Sequence, residues 1–179
     1  MEYYVTDICG RKESLPVLEI APGVKIAFFN LHGAQELTEY CGKKLAEKVR
    51  LSGAEVIITA ESKGLQLAHV TARELGQPLY AVARKSKKLY MQDGIQSTVH
   101  SITTSGDQTL YLSKHDVDLV KGKKVAIVDD VISTGGSLTG LEKLVEIAGG
   151  NVVCKAFVLA EGAAKDREDV VYLGTIPLL

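Results

Sequence analysis

Four runs in this 179-residue chain are apolar at nearly every position: residues 54–60 (AEVIITA), 79–83 (LYAVA), 124–128 (KVAIV) and 152–159 (VVCKAFVL). A strand that faces water on one side alternates apolar and polar residues. A strand apolar on both faces must be covered on both, which is the condition of a parallel sheet held between helices. The stretches between the runs supply those helices. Ala34, Leu37, Cys41, Leu45 and Val49 recur at steps of three and four, so a helix covers this region and ends near Gly53. A second spans about residues 64–75, before Gly76 and Pro78. A third follows Gly136, with Leu138, Leu141, Leu144, Val145 and Ala148 inward and Gly149-Gly150 as its stop. This alternation predicts an α/β fold, a doubly wound, mostly parallel sheet flanked by helices with right-handed crossovers. One domain over residues 1–179 is expected.

Composition acts mainly by exclusion. With 21 Lys and Arg against 22 Asp and Glu, the formal net charge is −1, and no nucleic-acid partner is expected. Apolar runs such as 125–128 are too short to cross a bilayer, so no membrane partner is expected either. Met1-Glu2-Tyr3-Tyr4 lacks the basic and apolar regions of a secretory leader. Cys9, Cys41 and Cys154 are odd in number and widely spaced. They read as reduced thiols of a cytoplasmic protein, not as a disulfide framework or zinc site. Residues 1–22 stay unassigned beyond an edge strand or an arm for a partner copy. Residues 85–112 break the alternation: 95–102 and 109–112 are expected to pair as a hairpin around Ser105-Gly106-Asp107, in the manner of a flexible lid.

The stretch that carries chemistry is Val125-Ala126-Ile127-Val128-Asp129-Asp130-Val131-Ile132-Ser133-Thr134-Gly135-Gly136-Ser137. A buried strand delivers two adjacent acids at its carboxyl end, where open α/β sheets bind ligands. A Ser/Thr/Gly turn follows, and then a helix starts. Gly135 and Gly136 let backbone N–H groups approach an anion with no Cβ in the way. Ser133, Thr134 and Ser137 add hydroxyl donors, and the helix points its positive end at the same spot. That is a cradle for a phosphate monoester. Asp129 and Asp130, just upstream, suit the vicinal hydroxyls of a ribose. Phosphate plus diol points to a ribose 5-phosphate. The chain has neither G-x-G-x-x-G after a strand nor G-x-x-x-x-G-K-[ST].

Those thirteen residues resemble the phosphoribosyl-pyrophosphate (PRPP) fingerprint of the type I phosphoribosyltransferases, and the similarity extends from about Val24 to the C-terminus. Ala83-Arg84-Lys85 and Lys88-Leu89 resemble the A-R-K…K-L stretch of the adenine and xanthine enzymes. The resemblance implies that Asp129 and Asp130 hold the ribose hydroxyls at the reacting centre and that residues 133–137 bind the 5-phosphate. It implies that Glu61, Ser62, Lys63 and Gly64 form the pyrophosphate turn, with a non-proline cis peptide expected near Ser62-Lys63. It also implies that Arg84, Lys85 and Lys88 reach the pyrophosphate of a neighbouring subunit, and hence a homodimer. Mg²⁺ is expected as cofactor, held mainly by the substrate with no dedicated protein cage. The hood is expected within 1–33 and the lid within 85–112. The implied reaction is attack of a purine nitrogen on C1 of PRPP with release of pyrophosphate.

The base is read from fewer residues. Val131 and Ile132 should floor the purine site, with Phe29 and Asn30, within Phe28-Phe29-Asn30-Leu31-His32, as the hood. Adenine enzymes place Glu-Tyr in the lid where this chain has His100-Ser101. Val99-His100-Ser101-Ile102-Thr103 instead resembles the V-Y-S-F-T of xanthine enzymes, and His100 is the candidate proton carrier. Xanthine enzymes carry a lysine near the end of the last core strand, where this chain has Glu161. Ser133 stands where hypoxanthine-guanine enzymes have a third aspartate. The lid leans to xanthine and Glu161 to adenine, with adenine ahead. The alternatives are a xanthine- or hypoxanthine-type enzyme and a non-catalytic PRPP-sensing regulator.

Overall fold

In the computed structural model the described residues are 1–100 and 106–179. Ser101, Ile102, Thr103 and Ser105 of the expected lid hairpin lie outside them. The chain starts with a small antiparallel sheet of Tyr3–Ile8 (β1), Arg11–Ala21 (β2) and Val24–Ala27 (β3). β1 and β2 meet at Cys9-Gly10, both with positive φ (49° and 94°), the backbone of a tight hairpin turn. This unit accounts for most of residues 1–22. It covers the outer edge of the main sheet: Thr6 Oγ1 donates to the Thr175 carbonyl at 2.8 Å and the Cys9 amide to Leu173 at 3.2 Å. A side chain at Gly174 would run into the Asp7 carbonyl. Covering that edge blocks pairing with foreign strands.

The main body follows as Gln35–Arg50 (α1), Val56–Ala60 (β4), Leu65–Glu74 (α2), Ala81–Ala83 (β5), Ile95–His100 (β6), Asp107–Leu112 (β7), Lys114–Val120 (α3), Lys124–Ile132 (β8), Gly136–Ala148 (α4), Asn151–Glu161 (β9) and Val171–Ile176 (β10). Five strands form one all-parallel sheet in the order β10-β9-β8-β4-β5. The two-sided burial read from the apolar runs is visible along β8. Ala126 and Val128 pack into the layer with Leu37, Cys41, Leu45, Leu67 and Ala68 of α1 and α2. Val125 and Ile127 pack into the opposite layer with Leu138, Leu141 and Leu144 of α4 and Val120 of α3. β8 runs on past Val128 to Ile132, so the acid pair belongs to the strand itself.

Besides the β1–β3 unit, two elements of the main body were not anticipated. α3 is capped by Ser113, whose Oγ accepts from the Asp116 amide (3.2 Å) and donates to the Asp116 carboxylate (2.7 Å), a capping arrangement spelled by S-K-H-D. β10 is short and half-buried, and the apolar run Val170-Val171-Tyr172-Leu173 that opens it stops at Gly174. β6 and β7 pair antiparallel, from Ile95 opposite Leu112 to His100 opposite Asp107. Arg84 bridges to Tyr111, which joins the base of this hairpin to β5.

Candidate active site

β4 and β8 are hydrogen-bonded neighbours, Ile58 opposite Ile127, and both run to the same edge of the sheet. From this pair the chain winds outward in opposite directions, to β5 on one side and to β9 and β10 on the other. Such a switch point leaves a crevice at the carboxyl ends of the strands. The turn 61–64 after β4 and the loop 133–135 after β8 therefore face one crevice, as their sequences suggested.

The loop after β8 is open. A cleft of about 150 Å³ is lined by Asp129, Val131, Ile132, Phe157 and residues 133–138. Gly135 is the N-cap of α4 at φ +85°, and no side chain caps that helix end. A left-handed cap favours glycine, and the uncapped first amides of α4 are free to bind an anion. Upstream, Asp130 is 7% exposed, and its amide donates to Asp129 Oδ1 at 2.9 Å. Burial, reinforced by the charge of Asp130, pushes the Asp129 carboxyl well above its ordinary range. The empty site thus resists carrying two adjacent negative charges.

The turn after β4 is held by packing and an ion pair. The Glu61–Ser62 peptide is cis, one bond before the place expected from sequence. Ser62 and Lys63 are exposed and Gly64 is buried. A Cβ on Gly64 would collide with Thr59 Oγ1 and lie 3.0 Å from Asp129 Oδ1. Glu61 does not present its carboxylate as part of an anion cradle. It accepts from Arg84 Nε at 2.6 Å and from the Lys85 amide at 2.7 Å. Burial alone would raise the Glu61 pKa, but those hydrogen bonds hold it below the ordinary value. Arg84 Nη1 also donates to Tyr90 Oη at 2.8 Å. Arg84 is thus fastened to the turn of its own chain, while Lys85 is exposed and Lys88 half-buried beside it.

The residues read as purine-binding separate. Val131 and Glu161 are half-buried at the crevice end of β8 and β9, and Ile132 is buried. In the hood, Ala27, Phe29 and Leu31 face the core, and Phe28 and Asn30 face away from it. Phe29 is 3% exposed, so its ring packs the interior and is not offered to a base. The available aromatic is Phe28, whose ring centroid lies 5.5 Å from Lys63 Nζ of the turn. No local signal tells the two phenylalanines apart, because Ile26-Ala27-Phe28-Phe29 is apolar throughout and only the burial alternates. Asn30 Oδ1 accepts from the His32 amide at 3.1 Å. His100 stands at the end of β6, with Nδ1 2.6 Å from Asp107 Oδ1. Among the described residues no three His, Cys, Asp or Glu side chains gather as a metal cage.

The model of the phosphoribosyl transferase domain matches residues 30–175. The chain belongs to the phosphoribosyltransferase family. It is 32% identical over 166 residues to a xanthine phosphoribosyltransferase of an Exiguobacterium strain, covering 92% of this chain and 82% of that protein. It is 34% identical over 152 residues to that of Bacillus thuringiensis, covering 81% and 75%. Adenine phosphoribosyltransferases share the fold. That of Thermoanaerobacter pseudethanolicus superposes with a TM-score of 0.75 at 23% identity, covering 90% of this chain and 95% of that one. That of Rhodothermus marinus gives 0.71 at 25% identity, covering 92% and 94%. The phosphoribosyltransferase fold thus accounts for the sheet, its helices and the crevice that the sequence foreshadowed.

Proposed function

We propose that adenine is the base taken by this purine phosphoribosyltransferase, a PRPP-dependent glycosyltransferase that forms the nucleoside 5′-monophosphate and pyrophosphate. The carrying observation is Glu161, half-buried where β9 reaches the crevice, one register position beyond the Ile132–Ala160 pair. An ionised carboxylate there accepts from an exocyclic amine and repels the oxo groups and anionic form of xanthine. Phe28 then stacks on the base and Val131 floors it. The xanthine reading draws on the 32% and 34% identities to xanthine enzymes. PRPP-dependent consumption of adenine, xanthine, hypoxanthine and guanine, each assayed alone, separates the two. A preference for adenine of about tenfold or more in kcat/KM supports our reading. A preference for xanthine overturns it, and PRPP binding with no turnover of any base turns the protein into a PRPP sensor. Glu161→Lys should move the adenine/xanthine ratio toward xanthine by about tenfold.

In this reading the loop 133–137 anchors the 5-phosphate and the acids 129–130 take hydrogen bonds from the ribose hydroxyls. The bond from C1 to pyrophosphate breaks as the purine nitrogen bonds to C1. Positive charge grows on the ribose ring, and the acid pair stabilises it across a short gap. Lys63, Arg84, Lys85 and Lys88 meet the leaving pyrophosphate, with Arg84 held in place by Glu61. The residues suit a Mg²⁺ carried in by the substrate, since the two carboxylates at 129–130 are hard oxygen donors and too few for a cage. When bound, the ion neutralises charge on the pyrophosphate. The β6–β7 hairpin is read as a lid that closes over the crevice. His100, whose Nδ1 lies 2.6 Å from Asp107 Oδ1, is read as the group that takes the proton of the acceptor nitrogen through Nε2. Our reading also includes a homodimer, in which the exposed Leu89 and Tyr90 beside the basic segment face the second copy. No helix among the described residues is long and apolar enough to cross a membrane. A cytoplasmic setting suits the three free cysteines.

A further inference from the structure

The phosphate loop has a neighbour that its own sequence does not reveal. Arg167 follows the short 3-10 turn Gly162–Asp166 between β9 and β10. Its Nη1 lies 2.7 Å from the position a Cβ on Gly135 would occupy, so the guanidinium fills the space beside the glycine that caps α4. The rest of the fork is fastened elsewhere. Nε donates to Asp169 Oδ1 at 2.8 Å and Nη2 to Asp169 Oδ2 at 2.7 Å. Asp169 is held in turn by Lys155 Nζ at 3.1 Å, and Lys155 pairs with Glu142 of α4. Two of the three guanidinium nitrogens are thus committed to one carboxylate. The third is aimed at the loop and has no hydrogen-bond partner among the described residues. A planar fork held bidentately keeps its remaining donor in a fixed direction, which a lysine cannot do.

We infer that Arg167 is a further binding residue for the phosphate monoester. It sets the Nη1 end of its guanidinium beside Gly135 of the cradle. The Asp169–Lys155–Glu142 chain ties that guanidinium to α4, the helix whose first amides meet the ligand. This rests on the reading that residues 133–137 bind the 5-phosphate, and the test separates the two. Ribose 5-phosphate and inorganic pyrophosphate are each titrated calorimetrically onto the wild-type protein, Arg167→Met, Arg167→Lys, Asp169→Asn and Ser137→Ala. Arg167→Met should weaken ribose 5-phosphate about tenfold and leave pyrophosphate unchanged, the size expected for losing one charge-assisted contact. The defect should shrink at high salt. Arg167→Lys should recover part of the loss. Asp169→Asn, which keeps the arginine but frees its fork, should weaken ribose 5-phosphate severalfold, and it stands in if Arg167→Met does not fold. Equal loss of both ligands, or no loss of either, in the Arg167 variants overturns the inference. If Ser137→Ala also leaves ribose 5-phosphate unaffected, the phosphate assignment of the loop falls with it. If Ser137→Ala weakens it and Arg167→Met does not, only the role of Arg167 falls.

Discussion

The two strand–turn–helix units at the switch point are built alike and finished differently. After β4 the turn is closed: Gly64 is pressed against Thr59 and Asp129, and Glu61 is clamped by Arg84 and the Lys85 amide. After β8 the loop is open: among the described residues nothing lies within 4 Å of the missing Cβ of Gly136, and that of Gly135 meets only Arg167. Glycine therefore serves packing in one unit and leaves open space in the other. In our reading the closed turn holds the leaving pyrophosphate beside its cations, and the open loop offers bare amides to the phosphate. Asp129 lies between them, near Gly64 of the turn and lining the cleft of the loop.

The acid pair at 129–130 gives the largest expected effect. Asp130→Asn and Asp129→Asn should each lower PRPP-dependent turnover by about a hundredfold or more, measured as kcat/KM with adenine, through loss of charge facing the ribose. Stability should move the other way for Asp129. Its pKa is raised in the folded state, so the fold favours its protonated form. The unfolded chain releases the proton near its ordinary value, and the folded chain keeps it to higher pH. Between those two values the wild type loses stability as pH rises. Asp129→Asn should then melt a few degrees above wild type at pH 7.5 and equal to it at pH 4. A variant that is less stable at pH 7.5 would show that the pair is not frustrated in the empty site.

Gly64→Ala tests the closed turn. Its Cβ has no room against Thr59 and Asp129, so a loss of about 2–3 kcal/mol is expected in urea unfolding. PRPP use should fall with it, because the displaced neighbour is Asp129. An unchanged midpoint would mean that the turn yields easily and is less closed than its packing implies. Glu61→Gln is a smaller change in the same unit. It keeps the shape and removes the charge that holds Arg84, so KM for PRPP should rise about tenfold with kcat little changed. Arg84→Met should cost more, since it also removes the guanidinium that meets pyrophosphate, and the double variant little more than Arg84→Met, since Glu61 acts through Arg84. Additive losses would mean that Glu61 and Arg84 act separately. The Glu61 pKa is lowered in the fold, so the pair stabilises the protein above the unfolded carboxyl value and is lost as pH falls through the folded one.

The two units also differ in how far they could be read without coordinates. The open loop was legible because its function needs particular residues in a row. Acids at a strand end, hydroxyls and two glycines have few joint uses other than a ribose phosphate. The sheet was legible because two-sided burial keeps long stretches of β4, β8 and β9 almost wholly apolar. The closed turn was half legible: its position followed from the end of β4, but the Glu61–Arg84 pair joins residues 23 apart, and no local pattern announces it. Arg167 was invisible for the same reason, since its neighbour Gly135 lies 32 positions away in the chain. The antiparallel unit of β1 to β3 escaped because its strands are half-exposed and mix Lys and Glu with Val and Ile. Phe28 and Phe29 were told apart only by burial, since Ile26-Ala27-Phe28-Phe29 is apolar throughout.

Gly136→Ala gives the smallest expected effect, and it tests the open loop most directly. Gly136 is the first residue of α4 and lies outside the left-handed region. None of the described residues opposes a methyl group there. Alanine in a helix is favoured over glycine by about 0.5–1 kcal/mol, so the variant should be slightly more stable than wild type. A chain that forgoes this gain needs the space for something else. In our reading that is the approach of the phosphate to the α4 amides, and the added Cβ should raise KM for PRPP severalfold while the melting temperature rises. A variant that gains stability at unchanged KM would leave the glycine without a reason in the cradle, and the two turns would then differ in packing alone.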